Sequence, residues 1–171
     1  MVSLSVEVCQ ELPPLVWVGE VTASGARALV GPRVEVFDEG FLEGTWLGDW
    51  GAFDPLSSEA VCATGLLKVG DRLACVVSTH PEEYVFEVRT DSGLLISNSH
   101  VLLLTILRER FATDAEDPIT ALVRSHHRGF TPIALPLEGG GSITVHSFGH
   151  ILLDPGGNKT RSLPPIPPRP R

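Results

Sequence analysis

The chain has 171 residues and a mass of 18.4 kDa, the size of one ordinary domain that buries about two thirds of its unfolded surface without help from a metal or a disulfide. Its net charge of -8 is uneven: the segment through Asn158 sets nine cations against 21 acids, and Lys159, Arg161, Arg169 and Arg171 make the end basic. So acidic a body repels phosphate backbones, which excludes nucleic acid as its partner and leaves only the short basic end to meet an acidic one.

In chain order, the first expected element is Val2 to Val8, where V-S-L-S-V-E-V puts Val2, Leu4, Val6 and Val8 on one face and Ser3, Ser5 and Glu7 on the other. That alternation predicts a strand with one wet side. Further strands are expected at Leu15 to Val21, Ala28 to Val36, Ala60 to Leu67, Arg72 to Ser78, Tyr84 to Thr90 and Gly93 to Ser97. Gly, Pro and Asp separate them about every ten residues, the mark of antiparallel β structure. The last two pair as a hairpin through Asp91-Ser92-Gly93.

A helix is predicted from Ser99 to about Phe111, capped by Ser97, Asn98 or Ser99 and closed by Arg108 and Arg110 near its negative end. A second, shorter helix is predicted from Pro118 to His127, with Asp117 as its cap. Strands follow at Ile133 to Leu137 and at Ser142 to Leu153, joined by a turn at Gly139-Gly140-Gly141. Leu163 to Arg171 is a proline tract with no core-forming pattern.

The candidate chemistry is sparse. Cys9, Cys62 and Cys75 leave an odd thiol in any pairing and lack C-x-x-C spacing, so reduced, buried cysteines are expected. Glu7 and Glu11 interrupt what would be a secretory signal, and no apolar run nears the ~20 residues of a membrane span, so a cytoplasmic location is expected, with no membrane partner. Without that export route, Asn158-Lys159-Thr160 is a chance match to the glycosylation sequon.

Four histidines, His126, His127, His146 and His150, lie close in sequence, and His146-x3-His150 has the spacing of a helical zinc pair. Thr144, Val145 and Ile151 favour a strand instead, on which the two would stand about 13 Å apart, too far for one ion. No metal and no cofactor is expected, and these histidines read as surface or half-buried ones. The Gly139 to Gly141 run lacks the Lys and helix of a phosphate loop, and no G-x-S-x-G elbow accompanies Ser99 and His100.

The most informative stretch runs from Phe41 to Leu107. It holds F-L-E-G-T-W-L-G-D-W-G-A-F-D-P, then L-A-C-V-V-S-T-H-P-E-E-Y-V-F-E-V-R-T-D-S-G, then L-L-I-S-N-S-H-V-L-L-L. It resembles the class II glutamine amidotransferase domain that begins asparagine synthetase-like proteins, with Gly44 to Trp50, Ala74 to Val88 and Ser97 to Leu104 standing where that domain's strand, hairpin and strand-to-helix turn would be. The resemblance implies an Ntn-hydrolase-like fold: α+β, two packed, mainly antiparallel sheets with one or two covering helices. Residues 1–158 are then one globular domain, and 159–171 a proline-rich tail like the linker before the synthetase domain.

What such a family needs for catalysis is missing. Its glutaminase uses an N-terminal Cys whose own amine is the base, but here Val2 follows Met1 and Cys9 has a peptide-bonded nitrogen. Ser78-Thr79-His80 replaces the family's Arg-Asp pair, and no S-G-G-x-D-S pyrophosphatase loop follows. Self-cleavage at Gly44-Thr45, Asp91-Ser92 or Gly141-Ser142 would create a new nucleophile, but such dipeptides are common by chance.

The expected role is therefore non-catalytic: a degenerate amidotransferase-like domain with no catalytic residue, serving regulation or assembly, with a separate ATP-pyrophosphatase-type synthetase chain or a second copy as partner. Ser97, Asn98, Ser99 and His100 are its candidate binding residues. One alternative is an enzyme of amide chemistry with unrecognised residues. Another is an interaction module presenting the tail, in which Pro164, Pro167 and Arg169 fit a P-x-x-P-x-R ligand of an SH3-type domain; the competing account of the tail is a plain linker.

Overall fold

The computed structural model describes residues 2–48, 54–80, 83–113, 120, 121, 123, 124, 131–154 and 159–162. The chain is α+β, with strands predominating in two sheets that are antiparallel but for one pair. The first sheet contains β1 (Leu4–Val8), β2 (Trp17–Thr22), β3 (Gly25–Val30), β8 (Val85–Thr90), β9 (Gly93–Ser97), β10 (Ile133–Pro136) and β11 (Ser142–His146). The second contains β4 (Glu35–Phe37), β5 (Gly40–Trp46), β6 (Val61–Val69), β7 (Arg72–Val76), β12 (His150–Leu153) and β13 (Lys159–Ser162). Helix α1 (His100–Leu107) follows β9 directly.

In the first sheet the order is β1-β3-β2-β9-β8-β11-β10, and only β1 and β3 run parallel, Leu4 opposite Ala26. The second runs β13-β12-β7-β6-β5-β4. Side-chain alternation assigns the faces. Trp17, Val85 and Ile96 of the first sheet meet Phe41, Leu66, Cys75 and Ile151 of the second in a buried layer between the sheets. Phe86, Val88, Ile143 and Val145 point the other way and pack under Leu103 of α1. At Gly19 the sheets approach so closely that a Cβ would lie 2.5 Å from Leu66 Cδ1.

Several boundaries differ from the sequence-based expectations, each for a local reason. The expected strand Ala28 to Val36 breaks after Val30, because Gly31 donates its N–H to Val16 and the chain crosses to the second sheet before β4. The expected helix to Phe111 ends at Leu107: Arg108 adopts a left-handed conformation, φ 56°, and bonds back to Leu104 and Thr105. Phe111 instead bridges to Leu137.

The expected strand Ser142 to Leu153 is two strands in different sheets. Phe148 (φ 53°) and Gly149 (φ 130°) turn the chain between them. Of the expected helix Pro118 to His127, only Thr120, Ala121, Val123 and Arg124 are described, and these are helical. Lys159–Ser162, assigned to the tail on composition, pairs with β12. Pro164, Pro167 and Arg169 lie outside the described residues, as do His126 and His127. No helix among the described residues is long and apolar enough to cross a membrane.

Candidate functional site

Polar groups between the sheets gather around Trp17, where β2 enters the fold. Trp17 is fully buried and edge-on to Phe41, with ring centroids 5.2 Å apart. Its indole Nε1 donates to Thr64 Oγ1 at 2.9 Å, and Thr64 Oγ1 donates to Glu43 Oε2 at 3.2 Å. Glu43 stands on β5 at the same parity as Phe41, so alternation turns it toward the space between the sheets.

Burial holds the Glu43 carboxyl above its ordinary range, and the charge of Glu83 adds to this, while hydrogen bonds from Thr64 and Asn98 work against it. The Oε2 atom of Glu83 is buried without a hydrogen-bond partner. The arrangement gathers the Glu43 carboxyl, the Thr64 hydroxyl and the Asn98 amide, with the charge of Glu83 near enough to act on Glu43, and is suited to receiving a hydrogen-bond donor. Thr64 is only 2% exposed, which keeps its hydroxyl from acting as a nucleophile on a substrate.

The four candidate binding residues of the strand-to-helix turn do not converge on one ligand. Ser97 Oγ donates to the Trp17 carbonyl at 2.5 Å and accepts from the Ser99 amide. Asn98 accepts from the Trp17 amide at 3.0 Å and donates to the Leu15 carbonyl at 2.9 Å, stitching the turn to the start of β2. Ser99 caps α1, its Oγ accepting from Leu102 N. His100 lies on the other side of the sheet, its ring 5.1 Å from Phe86 and 6.0 Å from Phe111, and burial holds it below the ordinary imidazole range. Asn98 alone of the four reaches the Glu43 site.

The cysteines also depart from expectation. Cys75 is buried, but Cys9 is partly exposed and Cys62 is exposed on β6. Burial, reinforced by Glu87, pushes the Cys75 thiol up far beyond its usual range, so it stays protonated and unreactive. Cys9 uses its amide nitrogen in a bond to Val30 O at 2.8 Å.

His146 and His150 are buried rather than superficial, 8% and 1% exposed, and they stand on strands of different sheets. His146 Nε2 lies 3.1 Å from Glu87 Oε2, and Lys159 Nζ bonds the other carboxylate oxygen. His150 Nδ1 accepts from the Val77 amide at 3.2 Å, leaving its Nε2 buried and unpartnered. Among the described residues no three His, Cys, Asp or Glu side chains group as metal ligands.

Neither Glu43, Thr64 nor Glu87 stands out in the sequence as a functional residue. The signal that finds the two acids is one of register: F-L-E-G and V-F-E-V each carry an acid at an inward-facing position between apolar neighbours. Comparison with protein-family models, with curated proteins and with solved structures finds no match.

Proposed function

We propose that this chain is a non-catalytic regulatory or assembly domain resembling a degenerate glutamine amidotransferase domain of an asparagine synthetase-like system, with an Ntn-hydrolase-like arrangement of its two sheets. The observation that carries the reading is that the polar groups at the turn into α1 are engaged in holding β2, β9 and α1 together while no buried thiol is activated. Ser97 and Asn98 bond the backbone of Trp17, Ser99 caps the helix, and Cys75 is insulated. A cytoplasmic setting and a separate synthetase chain or second copy as partner belong to the same proposal.

Ammonia release from glutamine tests it. The purified chain is expected to release none above a protein-free control, and release that disappears in a Cys9→Ala or Cys62→Ala variant overturns the proposal. The Glu43 and Glu83 carboxylates favour one second reading, acid–base chemistry on a small amide, since burial and mutual charge hold Glu43 toward its neutral, proton-donating form. Turnover of any amide that falls in Glu43→Gln with the fold intact favours that second reading over the first.

A further inference from the structure

The carboxylate of Glu87 is buried at 3% exposure on β8, facing the second sheet, and it takes a nitrogen from each side. His146 comes from β11, the neighbour of β8 in its own sheet. Lys159 comes from β13, in the opposite sheet. Among the described residues, β13 is four residues long, lies at the edge of its sheet and pairs with β12 alone. One buried anion thus fastens the last described strand of the chain across the interior, and it does so in competition with an imidazole.

We infer that β13 is a proton-sensitive strap: Lys159 locks it onto the Glu87 carboxylate while His146 is neutral, and protonation of His146 loosens the lock. A neutral His146 donates a hydrogen bond to Glu87 but carries no charge, so Lys159 alone balances the carboxylate. A protonated His146 supplies that charge from within the first sheet and repels the Lys159 ammonium across the shared carboxylate. The interior then holds two cations for one anion, and the cation on the short edge strand is the one free to leave. Coupling of this kind is reciprocal, so undocking Lys159 also favours the proton on His146.

Among the described residues, the strands that flank β8 and β11 add no titratable group, while His80 stands on the segment whose Ser78 carbonyl accepts from Phe148. β9 reads G-L-L-I-S and β10 reads I-A-L-P, with no titratable group. Cys75 on β7 remains a neutral thiol. His150 on β12 stays neutral until about pH 4, because burial opposes its charge. The inference holds whether the domain is catalytic or not.

Hydrogen exchange on the full chain at pH 8 and pH 5.5, corrected for intrinsic rates, tests the strap. Protection of the Lys159–Ser162 amides, relative to β7, is expected to be about ten-fold lower at pH 5.5 than at pH 8. Lys159→Met should exchange fast in β13 at both pH values. His146→Gln should keep β13 protected at both. Should that variant fail to fold, an NMR titration of His146 in the parent and in Lys159→Met replaces it, with the midpoint expected to rise in the variant. Protection of β13 that does not change with pH, a fall shared equally by β7, or a His146 midpoint unmoved by Lys159→Met overturns the inference.

Discussion

Asn98 shows how much one side chain holds here. It satisfies the amide of Trp17 and the carbonyl of Leu15, two backbone groups at the entry to β2, and its amide also reaches Glu43. Removing one partner of a part-buried hydrogen bond leaves the other desolvated, at about 1–3 kcal/mol per group. Asn98→Ala should therefore lower stability by about 2–4 kcal/mol, allowing for partial hydration of the more exposed Leu15 carbonyl. Urea denaturation of the variant against the parent checks this, and a loss below about 1 kcal/mol would mean that water replaces the side chain at both groups.

At the scale of an element, α1 depends on its two ends more than on a sided apolar stripe. Its sequence H-V-L-L-L-T-I-L is apolar all round, yet only Leu103 is fully buried, and Val101 and Ile106 are 61% and 46% exposed. The caps therefore matter. Ser99→Ala removes the bond to Leu102 N and should cost ~0.5–2 kcal/mol. At the other end Arg108 carries a left-handed conformation that a side chain disfavours, so Arg108→Gly should raise stability by up to about 1 kcal/mol. Thermal melts of the two variants should move in opposite directions; a lower melting temperature for Arg108→Gly would show that the arginine side chain has packing that outweighs its backbone strain.

For the whole molecule, the buried ionisable groups set the response to acid. Burial holds His150 at about 4, below its ordinary value of 6.5. Between those values the unfolded chain binds a proton that the native one refuses, so stability falls as pH drops from 6.5 to 4 and this contribution levels off below. Burial also opposes the charge of Glu87, but in the docked arrangement its hydrogen bonds with His146 and Lys159 and the positive charge beside it outweigh burial and hold the carboxyl below its ordinary value of 4.5. Its contribution is present above that value and is lost as pH falls through the lower native one.

The urea midpoint should thus be highest near neutrality and decline in two stages. His150→Gln, whose carbonyl oxygen still accepts from Val77, should flatten the first stage, and Glu87→Gln the second. A midpoint unchanged between pH 7 and pH 5 in the parent would show that His150 is protonated in the native state.

By itself the sequence determined the local elements: an alternating first strand, the Asp91-Ser92-Gly93 hairpin, the Gly139 to Gly141 turn, a polar cap within Ser97 to Ser99, and the predominance of antiparallel strands with a helix after them. Each rests on a period or a turn within a few residues, which side-chain direction and backbone sterics dictate locally. Only the tertiary structure decided that β1 runs parallel to β3, that residues 142–153 divide between two sheets, and that Lys159 belongs to the fold rather than to the tail. It also decided the partners of the buried polar groups. Trp17, Glu43 and Thr64 are distant in sequence, as are Glu87, His146 and Lys159, and no local period records which sheet faces which. Those pairings arise when two sheets close on each other, because a buried carboxylate must then find its donors wherever the opposite face presents them.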